Sequence, residues 1–125
     1  MPRRRGAAAT GEVVTVTKAT PVLTSTASGS VPLGRHVYDV AALSGAEKPT
    51  GTITFNLYAP GDTGCTHPPV FTSTVTIHKN ASYSSGPFKP TKTGTYRYTA
   101  AYSGDPNNNP ASEACGATGE QVTVT

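Results

Sequence analysis

Three stretches of the chain alternate apolar and polar residues with a period of two. Thr52–Tyr58 sets Ile53, Phe55 and Leu57 against Thr52, Thr54 and Asn56. Residues 71–77 place Phe71, Val75 and Ile77 on one side and Thr72, Thr74 and Thr76 on the other. Residues 95–102 oppose Tyr96, Tyr98, Ala100 and Tyr102 to Thr95, Arg97 and Thr99. Such a pattern marks antiparallel strands with one face in a core and one in water. Weaker patterns predict strands at Val22–Ala27, 35–43, 83–88 and 121–125, the last burying Val122 and Val124. In 35–43 two inner faces compete, Val37/Ala41/Leu43 and Tyr38/Val40. Asp39 there is either solvent-facing or a buried carboxylate that needs a partner. Clusters of turn-forming residues at 46–50, 60–69, 90–94 and 103–110 separate the runs. Seven short strands with punctuated turns predict an all-β, immunoglobulin-like antiparallel β-sandwich over residues 20–125.

Composition narrows this further. Gly supplies 13 positions and Pro 11, a density that excludes long helices because each such residue inside a helix costs about 1 or 3 kcal/mol. No apolar run approaches the ~20 residues of a membrane-spanning helix, so no membrane insertion is expected. The net charge of +3 is carried by Arg3, Arg4 and Arg5, since residues 12–125 hold seven basic and seven acidic side chains. A neutral body offers no basic face to follow a phosphate backbone, so nucleic acid is not an expected partner. Those arginines precede Gly6-Ala-Ala-Ala-Thr-Gly-Glu12, where a secretion signal carries an apolar core. The chain as it stands therefore reads without a signal peptide, either exported by another route or an internal piece given a new start.

The most informative feature is an internal repeat. Ala9-Thr-Gly-Glu-Val-Val-Thr-Val-Thr17 returns as Ala117-Thr-Gly-Glu-Gln-Val-Thr-Val-Thr125, with eight of nine residues identical at an offset of 108. A closing strand is thus present twice, which predicts one full repeat of a tandem array preceded by the end of another. Residues 1–19 are read as an arm holding an extended strand with Val13, Val14 and Val16, and 20–125 as the domain. Lys18-Ala-Thr-Pro21 is the linker, where Pro21 restricts itself and Thr20 to extended geometry.

Pro49-Thr-Gly-Thr-Ile-Thr-Phe55, Gly94-Thr-Tyr-Arg-Tyr-Thr-Ala-Ala-Tyr-Ser-Gly-Asp105 and the closing Val-Thr-Val-Thr resemble bacterial Ig-like repeat domains. These are the tandem modules of large bacterial surface and secreted proteins, and the resemblance covers about residues 20–125. It implies stalks, spacers and adhesin modules, and related domains that decorate phage virions. An isopeptide crosslink, known in some surface Ig-like domains, is not expected, since the last strand has no Asn or Asp to meet a lysine.

The remaining chemistry is sparse. Cys65 and Cys115 lie in loop-like segments, and a disulfide between them is expected in an oxidising compartment. Because the loops after the third and sixth strands of a sandwich lie at opposite ends, the bridge requires Cys115 partway down the last strand, with 116–119 as a bulge. Cys65-Thr-His67, His36 and His78 lack the paired spacing of a zinc site. Asp105, Asn107, Asn108 and Asn109 hold too few carboxylates for calcium and suit a long turn instead. Tyr96, just after Gly94-Thr95, stands where a tyrosine corner would. No nucleophile elbow, phosphate-binding glycine loop or carboxylate pairing suits catalysis, so neither enzyme activity nor a cofactor is expected. The expectation is a non-enzymatic, extracellular or cell-surface module, a stalk or spacer whose partners are neighbouring Ig-like repeats. The alternative is a self-assembling filament or virion decoration subunit, in which residues 11–17 add to an identical neighbour. No specific ligand is indicated.

Overall fold

β-branched and aromatic residues dominate the alternating runs, and they suit a pleated, half-buried surface. In the computed structural model, which describes residues 13–125, these runs form β1 (Val22–Ala27), β2 (Asp39–Ser44), β3 (Thr52–Tyr58), β4 (Phe71–Thr76), β5 (Ser82–Ser84), β6 (Gly94–Tyr102), β7 (Ala111–Glu113) and β8 (Gln121–Val124). They make two antiparallel sheets. One has the order β1-β2-β5; the other has β4-β3-β6-β7, with β8 also on β6. The all-β reading therefore holds, with eight strands rather than seven.

The extra strand comes from a split. β7 pairs with Ala100–Tyr102 and β8 with Gly94–Arg97, along the same strand β6. Between them Tyr98 N donates to Glu120 O at 2.8 Å, and residues 114–120 loop out. The closing strand is thus one ladder with an excursion in it. The chain after β1 also changes sheet. Ala27 N donates to Gly119 O, and Val31 then bridges Val124 in parallel.

Two apolar clusters fill the space between the sheets. Leu23, Ala41 and Leu43 pack with Ile53, Phe55, Ile77, Ala100 and Tyr102; Val37 packs with Leu57, Tyr96, Tyr98, Val122 and Val124. Phe71 and Val75, expected in the core, are only half-buried. They lie on β4, an edge strand that only β3 covers. The competition in 35–43 resolves toward Val37, Asp39, Ala41 and Leu43 inward, with Tyr38 44% exposed. The strand begins at Asp39, and Val37 makes only an isolated bridge to Phe88. Residues 83–88 likewise shorten to β5, because Ser85 turns inward to bond Asp39 N.

The expected N-terminal strand does not form in the single chain. Residues 13–17 join no sheet, and Val13, Val14 and Val16 are 66%, 86% and 89% exposed. The rest of that copy, Ala9 to Glu12, lies outside the described residues.

Candidate functional site

The alternation along β6 fixes the two ends of the domain. At one end Tyr102 pairs with Ala111 and the chain turns through residues 103–110; at the other Gly94 pairs with Val124. Gly94 has a φ of +129° and lies against Pro60, where a Cβ would come within 2.6 Å of the proline ring, so only glycine fits.

The Tyr102 end receives the linker. Ala19 N donates to Asn107 O at 2.9 Å, and Asn109 N donates to Ala19 O at 2.8 Å. Asn109 Nδ2 reaches Thr20 Oγ1 at 3.2 Å, and Pro21 is buried. The turn that holds Ala19 is itself tied down by two side chains. Asn108, fully buried, accepts from Glu47 N at 2.7 Å and donates to Glu47 O at 2.9 Å, as a paired backbone group would. Asp105 accepts from Thr50 N and Asn107 N, both at 2.7 Å, and from Asn108 Nδ2 at 3.0 Å. Tyr102 Oη lies 2.8 Å from Asp105 Oδ2 and 2.9 Å from Thr50 O. The Thr50 amide leads the donors that hold the Asp105 carboxyl well below the usual carboxylate range. Burial, with Asp105 beside it, pushes the Tyr102 phenol up to about 12. Asp105 is a hub for donors from its own chain, the role of a turn residue. Among the described residues no group of three or more His, Cys, Asp or Glu is placed to hold a metal ion. A cleft of about 300 Å³ flanks the linker, with residues 16–19 on one side and Glu47, Pro106 and Asn107 on the other.

The Gly94 end carries β8. Val31 N donates to Thr123 O at 3.0 Å, Thr125 N to Val31 O at 3.0 Å, and Leu33 N to Thr125 O at 3.2 Å. Along β8, Val122 and Val124 are buried, Thr123 Oγ1 meets Thr95 Oγ1 at 3.1 Å, and Gln121 faces solvent. Nearby, the Tyr96 hydroxyl donates to Lys92 O at 2.8 Å, a bond to backbone four residues upstream. Cys115, in the 114–120 excursion, is bonded to Cys65 in the β3–β4 loop with Cα atoms 6.0 Å apart.

Sequence reasoning missed the pair in the centre. Asp39 of β2 and Glu120, just before β8, are both fully buried and face one another across the two sheets. Their four carboxylate oxygens, with Tyr98 Oη and Ser25 Oγ, meet no hydrogen-bond partner among the described residues. Burial, and then the charge of Glu120, push the Asp39 carboxyl up to about 8; burial also raises Glu120. Burial thus favours the neutral form of both acids, and neither is open to a substrate. A signal for Glu120 was present: it is one of the eight residues that the duplicated segment keeps. No lysine is buried near them, since Lys18, Lys48, Lys79, Lys89 and Lys92 are all exposed.

No family model, curated protein or solved structure matches the chain. Function therefore has to be argued from the two ends and the closing strand.

Proposed function

We propose that this chain is a non-enzymatic structural module, an immunoglobulin-like sandwich that serves as a spacer in a tandem array of an extracellular or cell-surface protein. The observation that carries this reading is the placement of the two ends. The linker is clipped by Ala19 at the Tyr102 end of β6, and Thr125 leaves at the Gly94 end. Eight residue steps of β6 separate them, about 26 Å. Repeats joined at such points follow one another end to end, and backbone bonds at Ala19 set the angle of each junction. The sheet order, the change of sheet after β1 and the Tyr96 bond to Lys92 O support the immunoglobulin-like assignment. The disulfide suits an oxidising location. Among the described residues no helix is long and apolar enough to cross a membrane.

A spacer must resist tension along its axis. Residues 31–33 run parallel to β8, and three backbone bonds join them. Tension between Ala19 and Thr125 loads these bonds together in shear rather than one after another. Pulling single molecules from the two ends tests the reading. The chain is expected to unfold in one event, and Val31→Pro, which removes the donor to Thr123 O, is expected to lower the unfolding force. Equal force in both chains would remove the mechanical support for a spacer.

A further inference from the structure

Residues 9–17 repeat residues 117–125 at eight of nine positions, and β8 shows what those positions do. Glu120 faces Asp39, Val122 and Val124 are buried, Thr123 meets the Thr95 hydroxyl, and Gly119 takes a φ of +85°. Their counterparts in the first copy are Glu12, Val14, Val16, Thr15 and Gly11. The single difference is Val13 against Gln121, and Gln121 is exposed. Every side chain that the β8 slot contacts from inside is therefore present in the copy.

The copy cannot enter the slot of its own molecule. In the register of β8, residue 17 takes the place of Thr125, beside the Gly94 end of β6. Ala19, two residues on, is held at the Tyr102 end. Two residues span about 7 Å at most, against the ~26 Å between Gly94 and Tyr102. The slot that fits the copy belongs to another domain.

We propose that the β8 slot is a docking site for residues 9–17 of a second copy of this chain, entered in the register of β8, with Glu12 meeting the Asp39 of the copy that receives it. This goes beyond the spacer reading and does not depend on it. Main-chain pairing to β6 would hold the incoming strand as it holds β8, and the inward side chains supply its specificity. Because the incoming strand replaces its like, the net gain comes from the end-to-end contact that the register imposes. Leu33, 48% exposed, donates to Thr125 O at the Gly94 end. With residue 17 in that place and Val16 taken into the slot, Leu33 comes to the linker end of the donating copy, where Ala19 and Pro106 remain as apolar neighbours. The contact joins different faces of the two copies, so repetition gives open-ended filaments rather than closed dimers.

The test uses the full chain. It is annealed just below its unfolding midpoint at rising concentration, cooled, and weighed by light scattering. The expected result is a ladder of multimers that lengthens with concentration and survives dilution, because release requires β8-type pairing to open. The double variant Val14→Asp, Val16→Asp alters two exposed residues, so it should keep the parent's melting temperature and stay monomeric. A labelled peptide of residues 9–17 should bind the annealed parent, and the same peptide with both aspartates should not. Multimers that form equally in the double variant, or a parent that stays monomeric and leaves the peptide unbound, would overturn the proposal.

Discussion

A carboxylate taken from water into a core gives up several kcal/mol of hydration even after the protein relaxes around it, and Asp39 and Glu120 both sit at 0% exposure. The folded chain answers by keeping a proton that the unfolded chain releases near the ordinary value of 3.8, since Asp39 is pushed up to about 8. A group whose folded value is raised lends stability in full below its unfolded value and loses it as the pH climbs toward the folded one. Between about pH 4 and pH 8 Asp39 should therefore weaken the domain as the pH rises, by up to about 1.4 kcal/mol per pH unit. Asp105 runs the other way, because its depressed carboxyl contributes above the usual carboxylate range and is lost only in strong acid. Asp39→Asn keeps the shape and cannot carry the charge. Denaturant titrations of that variant across pH 4–8 are expected to give a flatter stability profile than the parent, and one that is higher at the alkaline end.

At the level of elements, legibility followed burial on one face. β3 and β6 were readable because Ile53, Phe55 and Leu57, and Tyr96, Tyr98 and Tyr102, alternate with polar residues along strands whose other face is wet. β7 was not readable, since Ala111-Ser-Glu113 offers one small apolar side chain to the core and otherwise depends on pairing with β6. Asp39 broke the pattern of β2 by putting a carboxyl at an inward position, and its partner lies 81 residues away, beyond any local period. The excursion at 114–120 could be placed only because Cys115 had to reach the end of the domain opposite its own loop. That loop-out makes the closing ladder two short strands instead of one long strand, and the bridge to Cys65 compensates by closing 50 residues of chain. By loop entropy this is worth about 4 kcal/mol. Cys115→Ser should lower the stability measured in denaturant by that order, and the parent assayed under reductant should match it.

For the molecule as a whole, the bridge divides the chain into a part that can lengthen and a part that cannot. Under tension, the chain between the cysteines, a sequence separation of 50, stays folded back behind the bond. Adding reductant should increase the contour length released on unfolding by roughly 170 Å, a step that single-molecule extension reads directly. The same enclosure bears on proteolysis. The turns at 78–80, 91–93 and 106–107 are exposed, and all of them fall inside the loop that Cys65 and Cys115 close. A cut at any of these turns leaves two fragments tied by one bond, so the Thr125 end stays attached to the Ala19 end. Nicked protein should run as one band on a gel without reductant and as two with it.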